Sequence, residues 1–405
     1  MLRKVVCSGL GIIAPNGKSK EEFWENAKKG ESGIDKITLY DTSHYPIQIG
    51  GEIKNFAPEH YFPADHPAPD LGRVALLSLA ATRMALEDAG LEETDLALER
   101  AGVTIGNNGD MPLAWEIRQK WIHGELQDRA DLIWRYPLNS ISAIIANNFS
   151  LSGPNAVFAT SCAAGNHAIA NAYDLLQSGT CDIMITGGVE SIPEDLFACF
   201  CQLRILADKV CQPFDKNRKG LVLSEGTGIL ILETLEHARQ RGANIYGEIL
   251  GYGMSSDAYH LTFPHPSGEG AVEAMRGALK HAGISVHDVD YISAHGTGTQ
   301  PNDKIETLAI KKVFGRQAYN LPTSSVKSMI GHSLGASAAI EACVSLLTIQ
   351  DKIISPTINY ETSDPECDLD YVPNKCRKQD VKTVLSNSFG FGGNNVSIVF
   401  CETEQ

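Results

Sequence analysis

Short, continuous apolar runs recur along this chain, at 5–14, 101–105, 156–159, 182–188, 226–233, 245–253, 289–294, 322–326, 382–388 and 396–401. Runs this short, and apolar on both faces, predict strands of a sheet covered on both sides. Between them, apolar residues three and four apart predict helices over 20–29, 72–89, 139–149, 162–179, 234–241, 269–282, 303–314 and 333–349. Start and stop signals agree: Ser19-Lys20-Glu21-Glu22 is a capping box, and Gly90 ends the second helix. Residues 30–70 read as loop with short strands at most, and 110–136, with Trp115, Trp121 and Trp134, as an irregular helical insertion. Strands alternating with helices predict α/β layers. The chain also rhymes with itself. Residues 156–179 and 321–349 are each a strand, a polar turn and a small-residue helix, which predicts a duplicated fold.

With 405 residues there is room for two or three average domains or one large duplicated one. A hydrophobic fraction of 43% and a charged fraction of 20% are those of an ordinary soluble protein. The net charge of −15 argues against nucleic acid or an anionic membrane as partner. An acidic protein partner would need a local basic patch. The ten cysteines show no small-domain disulfide spacing and read as reduced, which predicts a cytoplasmic protein. Cys199-x-Cys201 with Cys211 lacks the paired spacing of a zinc site, so no metal is expected. Residues 1–14 mimic a signal peptide but are broken by Ser8, Gly9 and Gly11, and read instead as a first strand and turn. No run approaches the roughly 18 apolar residues of a membrane span.

The chemistry gathers around Thr160-Ser161-Cys162-Ala163-Ala164-Gly165, at a strand-to-helix turn. Unpaired backbone N–H groups and the helix dipole favour a thiolate there. A buried structural cysteine is the competing reading. In the second half, Ala294-His295-Gly296-Thr297-Gly298-Thr299 sets a histidine at a strand end, facing a pocket or simply satisfied in its loop. Lys327-Ser328-Met329-Ile330-Gly331-His332 leads into a helix bearing Glu341. Asn387-Ser388-Phe389-Gly390-Phe391-Gly392-Gly393-Asn394-Asn395 is either a flexible loop with a swinging aromatic or a tight β-turn. Gly331-His332-Ser333-Leu334-Gly335 fits the hydrolase nucleophile elbow, yet no histidine follows Ser333 to act as its base.

Taken in order, these motifs resemble the β-ketoacyl-acyl carrier protein synthases, in the synthase II-like Cys-His-His group of thiolase-like condensing enzymes. Val5-Val6-Cys7-Ser8-Gly9-Leu10-Gly11, Phe214-Asp215-Lys216-Asn217-Arg218-Lys219-Gly220 and Ser255-Ser256-Asp257-Ala258-Tyr259-His260 extend the likeness along nearly the whole chain. The resemblance implies an α/β, thiolase-like duplicated five-layered α-β-α-β-α fold. Its N-terminal half, 1–244, would carry Cys162, and its C-terminal half, 245–405, His295 and His332. It implies a decarboxylative Claisen condensation of an acyl group on Cys162 with malonyl-acyl carrier protein. Cys162 is then the nucleophile, His295 and His332 serve the enolate, and Lys327 and Glu341 set the histidines' surroundings. The backbone N–H groups of Cys162 and Phe391 would form the oxyanion hole, with Phe391 also gating the acyl pocket. Thr297 and Thr299 would hold the phosphopantetheine arm, with Phe389, Asp257, Phe200 and Asn108 lining the substrate path. No cofactor is implied beyond the phosphopantetheine that arrives on the carrier. The implied partners are an acyl carrier protein, met at Arg129 and Arg204, and a second subunit in a homodimer or a heterodimer with a homologue.

Ser161, Ala338, Asn394, Leu221 and Ser224 depart from the family's common pattern, and 64–70 is acidic and proline-rich where the family often carries Lys and Arg. These departures suit a specialised type II polyketide or polyene pathway. Housekeeping fatty-acid elongation and a chain-length-determining partner subunit are the alternatives; a thiolase would need a second catalytic cysteine in a Gly-rich loop.

Overall fold

The computed structural model describes residues 3–61, 71–92, 100–109, 118–125 and 139–403. The N-terminal half contributes β1 (Val5–Ile13), α1 (Lys20–Lys29), α2 (Arg73–Ala89), β2 (Ala101–Gly106), α3 (Ser140–Asn148), β3 (Asn155–Phe158), α4 (Ala164–Gln177), β4 (Ile183–Glu190), α5 (Glu194–Leu203), β5 (Gly226–Thr234) and α6 (Leu235–Gln240). The C-terminal half contributes β6 (Gly247–Ser256), α7 (Glu269–Ala282), β7 (Tyr291–Ser293), α8 (Gln300–Phe314), β8 (Thr323–Ser324), α9 (Lys327–Ile330), α10 (Ser337–Asp351), β9 (Thr383–Gly390) and β10 (Asn394–Cys401).

The expected duplication is visible in the strand order. One half runs β3-β2-β4-β5-β1 and the other β8-β7-β9-β10-β6. In each, two parallel pairings are followed by two antiparallel ones. The halves join through a short antiparallel ladder in which Val5, Val6 and Cys7 face Ile249, Glu248 and Gly247.

Helices fill three layers around the two half-sheets. α2 covers the outer face of β1 and β5, α7 covers β6 and β10, and α4 and α10 lie between the half-sheets against each other. This is the five-layered arrangement expected. From Ser337 to Ile349, α10 is buried all round, because it meets a sheet on each side. Small residues allow the central helices to touch backbone to backbone: a Cβ added at Gly165 would stand 2.9 Å from the amide nitrogen of Ala339.

The local signals hold where they are strong. Ser19 Oγ accepts from the N–H of Glu22 at 3.1 Å, and Gly30 and Gly90 end their helices in the left-handed region. Two expectations change. The apolar pattern predicts no helix at α5, whose Phe197 and Phe200 pack inward three residues apart. The helix expected over 333–349 divides into a 3-10 turn, Leu334–Ala336, and α10, because Leu334 takes φ +44 and breaks the run.

Candidate active site

Each half enters its central helix through the same corner. After β3, Ser161 takes φ +54 and a 3-10 turn, Ser161–Ala163, leads into α4. In the other half, Leu334 at φ +44 leads a 3-10 turn into α10. A side chain held at positive φ is strained by about 1–3 kcal/mol and persists only where its surroundings impose it. The corner thrusts Cys162 out at the start of the helix; Gly335 occupies the matching position of the second corner.

The second half brings two histidines to the cysteine. His332 Nε2 lies 3.0 Å from Cys162 Sγ, and its Nδ1 faces Ser337 Oγ at 2.8 Å. The His295 and His332 rings meet edge to face with centroids 5.4 Å apart. The cysteine sulfur and a nitrogen of each ring lie within 4.8 Å of one another, and all three residues are buried. Behind them, Lys327 Nζ donates to the carbonyl of His295 at 2.7 Å, faces its Nδ1 at 3.4 Å, and pairs with the carboxylate of Glu341.

Burial governs the charges here. It pushes the Cys162 thiol up to about 11, although the Lys327 cation and the backbone N–H of Phe391 pull the other way. The helix terminus therefore does not make the resting thiol acidic, contrary to the sequence expectation. Burial, with the Lys327 cation beside them, holds both His295 and His332 well below the usual imidazole range, so both rings are neutral at pH 7. Glu341 is raised by its burial to about 7. A buried carboxylate without a cation would be raised further.

Two models of the β-ketoacyl synthase family match the chain: the "Beta-ketoacyl synthase, N-terminal domain" over residues 2–238 and the "Beta-ketoacyl synthase, C-terminal domain" over residues 246–361. The chain belongs to the β-ketoacyl synthase family. It is 42% identical to 3-oxoacyl-[acyl-carrier-protein] synthase 2 of Staphylococcus aureus strain N315 over 410 residues, covering 99% of each chain. Identity to the protein of the same name in a Synechocystis strain is 42%, covering 98% of each. Among solved structures, the ishigamide ketosynthase/chain length factor is 38% identical with a TM-score of 0.93 and full coverage of both chains. A type II polyketide synthase acyl-carrier protein complexed with its ketosynthase, bound to the hexaketide, matches at 34% and 0.91, again with full coverage. This synthase is thus an acyltransferase with a Cys-His-His triad, and it condenses acyl groups to 3-oxoacyl thioesters on an acyl carrier protein.

The triad opens into a cavity of about 310 Å³, lined also by Thr297, Thr299, Phe389, Asp257 and Phe200. Phe391 also lines it, stacked on Phe200 with centroids 6.2 Å apart and planes 12° apart. The loop behind it needs its glycines: Gly392 and Gly393 sit at φ +77 and +76. Asn394, in turn, donates from its amide to the carbonyl of Phe391 at 3.0 Å. Asp257 joins the same loop, accepting from Asn395 at 2.8 Å. Asn108 lies beneath the cavity rather than on it, its amide bonded to Glu190 at 2.8 Å and to the carbonyl of Ser161 at 3.3 Å. Arg204 stands at the mouth with exposed Lys219. Arg129 lies outside the described residues, as does 64–70. Cys199 is exposed, whereas Cys211 is buried with its thiol on the carbonyl of Thr297.

Several supports in this synthase were not singled out from sequence. Glu306 accepts the N–H groups of His295 and Gly296 at 2.8 Å each, and Asp303 accepts that of Thr297 at 3.0 Å. Buried Arg218 grips the carbonyl of Thr299 at 3.3 Å and Asp364 at 2.6 Å. The available signal was a pair of acids three apart directly after a Gly/Thr loop, a spacing that puts both on one helix face.

Proposed function

We propose that the synthase extends acyl chains for a specialised polyketide or polyene product, with Cys162 as acyl carrier and His295 and His332 as donors to the enolate. One observation carries the assignment: Cys162 Sγ, His332 Nε2 at 3.0 Å and His295 share one buried pocket. In the loading step the thiolate of Cys162 attacks the thioester carbonyl of an acyl carrier. The N–H groups of Phe391 and Cys162 receive the oxyanion, and the proton of Cys162 leaves on the carrier thiol. In the second step malonyl-carrier loses carbon dioxide, the enolate oxygen rests on the two imidazoles, and its carbon attacks the acyl-Cys162 carbonyl. The Cys162 thiolate departs and takes up a proton. Preorganised donors of this kind commonly supply more of an enzyme's rate enhancement than any other single effect.

The pathway reading is supported by the full-length likeness to ketosynthases of polyketide systems and by departures at the pocket itself, Leu221 on its wall and Asn394 behind its gate. The identity to 3-oxoacyl-[acyl-carrier-protein] synthase 2 proteins favours housekeeping elongation as the second reading. The reading includes a cytoplasmic enzyme, a division between halves at 244 and 245, and a homodimer or a heterodimer with a homologue. Carrier docking would fall to Arg204 and Arg129, and Arg204→Glu is then expected to raise KM for acyl-carrier while sparing a small pantetheine thioester.

Mass spectrometry tests the chemistry. Cys162→Ala should carry no acyl group, and Ser333→Ala should still carry it on Cys162; a label on Ser333 would overturn the assignment. His295→Ala should load Cys162 yet decarboxylate malonyl-carrier about 100- to 1,000-fold more slowly. A cognate carrier should outperform a housekeeping one, and equal rates would decide for fatty-acid elongation.

A further inference from the structure

Ser337 is the first residue of α10 and is buried. Its Oγ has two neighbours, His332 Nδ1 at 2.8 Å and Ser333 Oγ at 3.2 Å. The two steps of the condensation do not themselves call on it. The two imidazoles of the site are held from behind in parallel fashion. Behind His295 Nδ1 stands Lys327 Nζ, at 3.4 Å, and an ammonium can only donate. His295 is therefore kept with its proton on Nε2, the nitrogen free to face the pocket. Behind His332 Nδ1 stands a hydroxyl, which can donate or accept. The direction follows from what the other nitrogen must do. A neutral imidazole donates at one nitrogen only. If Nδ1 gave its proton to Ser337, Nε2 would face the developing enolate with a lone pair and repel it.

We infer that Ser337 is a positioning residue that donates to His332 Nδ1 and so fixes the proton on Nε2, giving the enolate oxygen a second donor. Ser333 can donate to Ser337 in turn, so the chain Ser333, Ser337, His332 points its protons one way, toward the pocket. The groups facing His332 are Cys162 from the first corner, His295 from the loop after β7, and Lys327 from α9. With an ammonium among them and no carboxylate, nothing there favours a second proton on the ring.

The inference rests on the assignment of the histidines to the enolate, and its test separates the two. In wild-type enzyme labelled with 15N-histidine, His332 Nδ1 should resonate as an unprotonated nitrogen and Nε2 as a protonated one; in Ser337→Ala the two signals should move toward an average. Ser337→Ala should decarboxylate malonyl-carrier about tenfold more slowly, with KM little changed and acyl loading of Cys162 reduced less. Ser337→Thr, which keeps the hydroxyl, should restore the rate, and Ser337→Cys, with a weak donor, should fall between if threonine's methyl is not accommodated. A proton found on His332 Nδ1 in the wild type, or loading and decarboxylation falling together in Ser337→Ala, would overturn the inference. Normal decarboxylation in His332→Ala would instead remove the assignment beneath it.

Discussion

Cys162 and its neighbours show how residue types and position divide the work. A thiol at a helix terminus promises a low pKa from sequence, and burial reverses that promise by holding the resting thiol at about 11. What remains to stabilise the thiolate is local: the Lys327 cation and the backbone N–H groups of Phe391 and of Cys162 itself. Removing the cation should expose this balance. Lys327→Met is expected to push the Cys162 thiol up further, so that at fixed pH near 8 iodoacetamide alkylates it about tenfold more slowly. Alkylation of wild type should itself accelerate as pH rises, since only the thiolate reacts. An alkylation rate unchanged by Lys327→Met would show that the cation does not govern the sulfur. Cys162, His295 and His332 were legible in the sequence because their motifs, taken together and in order, resemble those of the condensing enzymes. Ser337, Glu306 and Arg218 were not, because a serine, an acid and an arginine have meaning there only through what they face.

At the scale of elements, the two central helices set the distance between the halves of the site. α4 carries the cysteine's corner and α10 the histidine's, and they touch where Gly165 meets Ala339. A Cβ at 165 would press on backbone, 2.9 Å from the amide nitrogen of Ala339 and 3.1 Å from the carbonyl oxygen of Gly335, rather than on a movable side-chain end. Gly165→Val should therefore destabilise the fold by about 1–3 kcal/mol, read as a lower midpoint in thermal or urea unfolding. Gly165→Ala should cost less. If the surviving folded fraction of Gly165→Val condensed at the wild-type rate, the helix spacing would not be what places Cys162 against His332. Ala163, Ala164, Gly165, Ala168 and Ala170 leave room for a close approach; the partner at that contact could not be read, because α4 and α10 lie about 170 residues apart in the chain.

Over the whole molecule, a buried carboxylate ties the opening strand to the seam of the N-terminal half. Burial alone would raise Glu233 on β5, but hydrogen bonds from Arg241 at 2.5 and 2.9 Å, from His237 at 2.5 Å and from Ser8 outweigh it and hold the group at about 2. Its folded pKa is depressed below the ordinary carboxylate value, so the unfolded chain binds the proton more readily. The stabilisation is therefore complete above about pH 4.5 and is lost as the pH falls toward 2, amounting to about 3 kcal/mol. Glu233→Gln should lower the melting temperature at pH 7 and flatten its decline between pH 5 and 3; a variant with the wild-type acid profile would show that the network contributes nothing. By itself the sequence determined most strand and helix types and suggested the duplication, since those follow from local periodicity, and the three reacting side chains followed from the resemblance of their motifs to the condensing enzymes. Only the tertiary structure decided the strand order, the seam between the halves, the neutral state of the triad and the donors behind each histidine. These depend on burial and on contacts between residues far apart in the chain, which local pattern does not encode.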